Sequence, residues 1–303
     1  MTKARNQSVH TLGKGDSLLL TVFYIATILF ALLCLYPLLL TIAVSFSKET
    51  SVTANGYQLI PAEFSLDAYR SIFGSMGRNI LNAYKVTISV TFLGTLFSLL
   101  LSSAFAFVLT MKDFKPKDTL NLFLYIPMIF SAGLLPWYIV CTKYYHLSNQ
   151  YYALILPAAV NAFNIFLLRN FFKSIPWELR EAAFIDGASY FKIFWQIYLP
   201  LGKVGLVTVG LFYALSYWND YYLALMFIKK QNLYPLQYYL YNMLSSVQFL
   251  ANQSNQSLGY NISVPLETTR MATICVTIGP IICLYPMAQK YFTKGVVVGA
   301  VKG

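Results

Sequence analysis

One carboxylate, Asp220, stands inside an otherwise uncharged apolar run, in the stretch Tyr217-Trp218-Asn219-Asp220-Tyr221. A charge at the centre of such a span costs about 2.5–3.5 kcal/mol on insertion scales, so it usually faces protein or water. Amide, carboxylate and phenol groups beside flat aromatic faces suit a sugar, whose ring has polar edges and apolar faces. Tyr213, Tyr217 and Tyr221 repeat every four residues and share one helix face, with Asp220 three positions after Tyr217. These residues are expected to line a hydrophilic route. The competing reading is an interfacial aromatic belt with a snorkelling carboxylate, because Trp and Tyr are enriched at that depth. Asn161 and Asn164 lie one turn apart beside Ala158, Ala159 and Ala162, a pattern that fits helix packing in a membrane or further lining of the route.

Chemistry of other kinds has little to build on. His10 and His146 stand alone, without an HExxH pattern or a carboxylate at ligand spacing, and Cys34, Cys141, Cys275 and Cys283 lie in or beside apolar runs with no CxxC pair. The eleven acidic residues are scattered, which argues against a membrane-embedded enzyme. The sequence has no GxxxxGK[ST] phosphate loop, so any ATP that drives this protein, with its magnesium, is expected on another chain.

The elements that must position these groups are membrane helices. Charged residues make up 11% of the 303 residues, against about 25% in soluble domains, and 57% are hydrophobic. The net charge of +11 is spread in short clusters between apolar runs, which fits membrane topology rather than nucleic-acid binding. At about 20 apolar residues per bilayer crossing, six runs qualify: 18–46, 86–111, 119–142, 151–168, 204–228 and 271–289. The expected fold is an all-α polytopic membrane protein of one domain, with a polar loop from Lys229 to Arg270 and a basic tail over 290–303. The first run exceeds a signal-peptide core of roughly 7–15 residues and is read as an uncleaved helix. With the N-terminus inside, Lys3, Arg5, Lys14, Lys112, Lys115, Lys117, Arg169, Lys173, Arg180, Lys192, Lys203, Lys290, Lys294 and Lys302 face the cytoplasm, fourteen of the 22 Lys and Arg. Both termini then lie inside.

A polar-flanked stretch over 178–200, between the fourth and fifth runs, holds EAAFIDGASYFKIFWQIYLP from Glu181 to Pro200. Glu181 precedes the small Ala182 and Ala183, while Phe184, Ile185 and Ala188 follow Glu181 at three, four and seven residues, on one helix face that could meet a partner. Gly187 suggests a bend or close contact, since glycine costs roughly 1 kcal/mol against alanine inside a helix. Leu199 and Pro200 mark the next boundary. An amphipathic helix lying on lipid is the alternative.

The spacing of Glu181, Ala182, Ala183, Asp186, Gly187, Ala188, Ile197, Leu199 and Pro200 resembles the EAA signature of permeases of binding-protein-dependent ABC importers. The segment 168–176, the Trp218-Asn219-Asp220-Tyr221 motif and the ending with Gln289, Lys290, Gly295, Gly299, Lys302 and Gly303 are similar to the MalG-type carbohydrate permeases, in particular the LplC-like branch. The resemblance implies a type I importer permease in a bacterial cell membrane, non-catalytic, whose EAA helix couples it to a separate ATPase and whose tail reaches the ATPase dimer. It implies a second, homologous permease subunit, two ATPase subunits, an extracytoplasmic sugar-binding protein and an oligosaccharide substrate, within membrane lipid. An ion-coupled secondary transporter is the rival from another class; it needs intramembrane ionisable residues, and only Asp220 qualifies.

Overall fold

Backbone groups inside a bilayer must be satisfied internally, so the apolar runs fold as helices, and their punctuation decides where each one breaks. The computed structural model describes residues 14–74, 77–254 and 267–278. Its helices are α1 (Lys14–Ser45), α2 (Glu49–Asn55), α3 (Asp67–Gly74), α4 (Gly77–Thr110), α5 (Lys117–Ile129), α6 (Leu134–Ile139), α7 (Ala162–Lys173), α8 (Trp177–Ile185), α9 (Tyr190–Ile193), α10 (Leu199–Leu201), α11 (Lys203–Asn219), α12 (Tyr222–Phe227), α13 (Leu236–Ser254) and α14 (267–278). Two of them, α1 and α4, are long and apolar enough to cross a membrane unaided; three bent pairs raise the number to five among the described residues. The tail residues Gln289, Lys290, Gly295, Gly299, Lys302 and Gly303, and most of the sixth run, lie outside the described residues.

The chain divides into two units, one of 1–70 with 263–275 and one of 71–262 with 276–303. In the first, Glu49 at the start of α2 accepts hydrogen bonds from the backbone N–H groups of Glu267 (3.0 Å) and Thr268 (2.9 Å) and from the Thr268 hydroxyl (2.6 Å). It thereby takes up two backbone N–H groups in the first described turn of α14. Tyr57 donates to Glu267 at 2.6 Å, and this bond to a carboxylate pushes the phenol up to about 12, so the contact is intact at neutral pH and is lost as pH rises through that value. Glu49→Ala removes the acceptor of three bonds and is expected to lower stability by about 1–3 kcal/mol, measured as an earlier thermal transition of the purified protein.

In the second unit, α4 packs along α7 and α11, with α13 beside it. Its core gathers Val90, Phe107, Leu154, Leu168, Phe172, Tyr198, Val209 and Phe227. Small residues set the close approaches: a Cβ on Gly94 would lie 2.8 Å from the Tyr217 ring, and one on Gly205 would lie 2.6 Å from Phe171.

The structure differs from run counting in four places. The run 119–142 is two helices, α5 and α6 with its π-helical continuation to Tyr144, bent by 118° around Gly133 at φ +83°. The run 151–168 opens with two 3-10 turns, Tyr151–Leu154 and Leu156–Ala158, and α7 starts at a 57° bend. The run 204–228 breaks after Asn219. The polar loop after it holds α13, where Leu236, Leu240, Met243, Leu244 and Val247 recur at helical spacing and Thr87 of α4 accepts the Leu236 N–H at 2.7 Å.

Candidate functional site

The 178–200 stretch is two helical arms around a turn. α8 closes with Gly187 at φ +77°, while the Gly187 N–H bonds the Phe184 carbonyl (2.9 Å) and the Ala188 N–H bonds that of Ala183 (2.9 Å). This Schellman pattern needs a left-handed residue at position 187, which explains the glycine better than a generic bend does. Ser189 then accepts the Lys192 N–H at 3.3 Å and starts α9, which continues through a π-helical turn, Phe194–Tyr198, into α10. That arm meets α11 at 82° around Gly202. A Cβ at Gly202 would lie 2.7 Å from the Tyr198 carbonyl and would also strike the Phe172 ring. Tyr190, Phe191 and Trp195 are exposed along the arm, as befits a segment lying at an interface.

The expected docking residues separate by direction. Glu178, Glu181, Ala182 and Ile185 form the exposed stripe of α8, with Ile185 83% exposed, and Asp186 and Gly187 extend it. Ala183, Phe184, Ala188, Ile197 and Leu199 instead pack against the core, and Pro200 is exposed at the start of α10. Phe184 and Ala188 therefore do not share Ile185's outward face: Phe184 lies about 100° from Ile185 around the helix, and the turn at Gly187 ends the periodicity before position 188. A cavity of about 200 Å³ lies between the arms, lined by Ala183, Asp186, Ala188, Lys192, Ile193, Gln196 and Ile197.

Two contacts fix the opposite side of α8. Arg180, only 9% exposed, bonds Asp113 at 3.5 Å, and its guanidinium lies 5.9 Å from the Phe184 ring centre. Lys112 sits 4.9 Å over the Trp177 ring. Trp177, Arg180 and Phe184 follow one another at three and four residues, so one stripe faces the α4–α5 loop while another is left free. The positive charge of Lys112 and Arg180 speaks only to topology; the Trp177-Arg180-Phe184 spacing is the sequence signal for this clamp.

The aromatic face of α11 is largely closed by its neighbours, although Tyr213 still borders a cavity. Tyr213 (2% exposed) and Tyr217 (3% exposed) are buried. The Tyr217 hydroxyl donates to the Ile155 carbonyl (3.0 Å) and takes a bond from Ser98 (2.8 Å). The Tyr213 hydroxyl accepts the Asn161 N–H (3.2 Å) and shares a hydrogen bond with the Ser102 hydroxyl (2.7 Å). The two phenols thus tie α11 to α4 and to the irregular backbone before α7. Trp218 is buried, Asn219 bonds the Leu215 carbonyl at 2.9 Å, and Tyr221, past the break, stacks on Tyr241 at 5.2 Å. Asp220 has extended backbone and accepts the Leu223 N–H at 3.2 Å, the geometry of a helix N-cap for α12. Asp220→Asn is expected to keep the cap and wild-type stability, whereas Asp220→Leu is expected to cost about 1 kcal/mol, read from thermal melts of the purified complex.

Asn161 and Asn164 flank the start of α7, where Asn161 accepts the Asn164 N–H at 3.1 Å. Both border a cavity of about 640 Å³ with Val160, Phe163, Phe212, Tyr213 and Ser216.

Comparison with known proteins gives this architecture a family. Residues 119–298 match the family described as binding-protein-dependent transport system inner membrane component. The polygalacturonan/rhamnogalacturonan transport system permease protein YtcP of Bacillus subtilis (strain 168) is 38% identical over 91% of this chain and 95% of its own. Protein LplC of the same organism is 36% identical over 93% of this chain and 95% of its own. In the crystal structure of a bacterial ABC transporter involved in the import of the acidic polysaccharide alginate, one chain superposes with a TM-score of 0.81 at 30% identity, covering 92% of this chain and 98% of that one. The chain belongs to the binding-protein-dependent transport system inner membrane component family and is a non-catalytic permease subunit of an ABC importer, whose ATPase and substrate-binding protein are separate chains.

Proposed function

We propose that this permease imports oligosaccharides, forming half of the translocation pathway beside a second, homologous permease, and that α8 docks its exposed stripe into a groove of one of two ATPase subunits. The observation that carries this reading is the shape of the motif. Glu178, Glu181, Ala182 and Ile185 stand free on a helix whose other side is held by Arg180, Phe184 and the Gly187 turn. A rigid, exposed, partly apolar ridge is what a partner needs in order to push on a membrane domain. Both termini and α8 lie on the cytoplasmic side in this reading, and Gln289 to Gly303 reach the ATPase dimer. ATP and magnesium are bound by that partner.

The sugar class rests on the relatives, whose names specify polygalacturonan or rhamnogalacturonan in one case and alginate in another. The test is uptake of labelled oligosaccharides cut from each of these polymers into liposomes holding the complete complex and its binding protein. ATP-dependent accumulation of one class supports the proposal. Accumulation driven by an ion gradient without ATP overturns it in favour of a secondary transporter.

A further inference from the structure

Two packed helices bring three cations to one point. In the small core where α4, α5 and α7 meet, Leu120 and Leu124 of α5 lie with Ile165 and Phe166 of α7. One and two turns from that contact, the same face of α5 reaches Asn121 and Lys117 toward its start, while that of α7 reaches Arg169 and Lys173 toward its end. Lys117 and Arg169 are both close enough for their charges to act on Lys173. The start of α5 therefore meets the end of α7.

Nothing among the described residues offsets this charge. Arg169 and Lys173 stand four residues apart, a like-charge spacing that weakens a helix. The helix dipole favours both at the end of α7, but it disfavours Lys117 in the first turn of α5. None of the ion pairs among the described residues uses any of the three. Arg169 Nε is buried and donates to no acceptor. A buried charged donor left unbonded is costly, so the arrangement calls for an acceptor from outside. Asn121 Oδ1 is also buried and unbonded, but an amide oxygen is neutral and leaves the three charges unmatched.

The surroundings say what the acceptor is attached to. Lys117 opens α5 straight after the loop that joins it to the membrane-spanning α4, so the cations stand at the level where headgroups begin. Beside them, Leu122, Tyr125, Ile126 and Ile129 form an exposed apolar stripe along α5. An anion carried on an apolar body matches both features.

We infer that Arg169, Lys173 and Lys117 form a binding site for an anionic phospholipid, whose phosphate accepts from the Arg169 guanidinium between the two ammonium groups and whose acyl chains lie on the apolar stripe of α5. The planar guanidinium suits a phosphate, and basic pockets between membrane helices hold such headgroups. The bound lipid ties the start of α5 to the last turn of α7, just before α8 begins, so it steadies the base from which the exposed helix projects.

The test uses the complete complex with its binding protein, in liposomes of phosphatidylcholine with or without phosphatidylglycerol. Phosphatidylglycerol is expected to raise ATP hydrolysis stimulated by the binding protein, and native mass spectrometry of the extracted complex is expected to find it retained. Replacing one cation, in Arg169→Gln, Lys173→Gln or Lys117→Gln, should weaken retention about fivefold and blunt the rise in hydrolysis. Lys229→Gln, in the loop after α12, should change neither. Retention and response equal to wild type in Arg169→Gln overturn the site. A response to inorganic phosphate in phosphatidylcholine alone that equals the response to phosphatidylglycerol overturns the lipid assignment. Loss of the second permease or the ATPase from Arg169→Gln, with lipid retention unchanged, also overturns it, because the cations then pair with a partner's carboxylate. Lys173→Gln, at an exposed side chain, carries the same test if Arg169→Gln fails to assemble.

Discussion

Glu181→Lys is expected to abolish ATP-dependent uptake while the chain still inserts and recruits the second permease. Glu181 lies on the free stripe of α8 between Glu178 and Ile185, and among the described residues no cation pairs with it. A carboxylate held exposed on a docking ridge presents its charge to the partner, and reversing a charge that becomes buried and paired on docking costs about 2–5 kcal/mol, a loss of roughly thirty- to several-thousandfold in affinity. The stripe's apolar part makes a second, independent test: Ile185→Asp, at a side chain now 83% exposed, should weaken docking without harming the permease fold. ATP-dependent uptake into liposomes holding the complete complex and its binding protein, together with co-purification of the ATPase, gives the readout. Normal uptake and ATPase recovery in Glu181→Lys would remove this helix from the coupling path.

That α8 would be short and exposed, with a bend or close contact at Gly187, was legible because glycine, serine and proline act locally; that the helix closes there was not, since its face was expected to run on to Ala188. The apolar runs at α1 and α4 were legible for the same reason, since length and composition suffice for a straight span. The breaks at Gly133, at Ala159–Asn161 and at Asp220 were not, because hydropathy measures transfer of side chains and is silent about whether backbone hydrogen bonds continue. The tyrosines show the limit most clearly. Their four-residue spacing gave Tyr213 and Tyr217 a common face, but their partners Ser98 and Ser102 lie more than a hundred residues earlier and Ile155 on a turn read as helix. With those partners in place the phenols are fastenings between elements, and Asp220, which looked like an intramembrane charge, is the cap that lets α11 stop and α12 begin.

Arg180→Ala should separate ATP hydrolysis from transport. Force applied to the exposed stripe of α8 can reach the membrane helices by two routes: along the chain, through α9 and α10 into α11, or sideways, through Arg180 and Trp177 into the loop that joins α4 to α5. The sideways route reaches α4, the 34-residue helix against which α7, α11 and α13 pack, so it addresses the bundle as a whole. Arg180 is nearly buried and Asp113 is largely exposed, so the ion pair alone is worth little; the guanidinium's packing against Phe184 and its position between two elements carry the effect. Substitutions in such links change coupling by about 0.5–2 kcal/mol, which is a few-fold to thirtyfold in transport per ATP. Hydrolysis stimulated by the binding protein should persist in Arg180→Ala, while sugar delivered per ATP falls. Arg180→Lys, which keeps the charge but lacks the planar group over Phe184, should fall between the two. An unchanged ratio of transport to hydrolysis in Arg180→Ala would place the whole transmission on the chain route through Gly202, where the arm meets α11 at 82° and a Cβ would strike the Tyr198 carbonyl and the Phe172 ring.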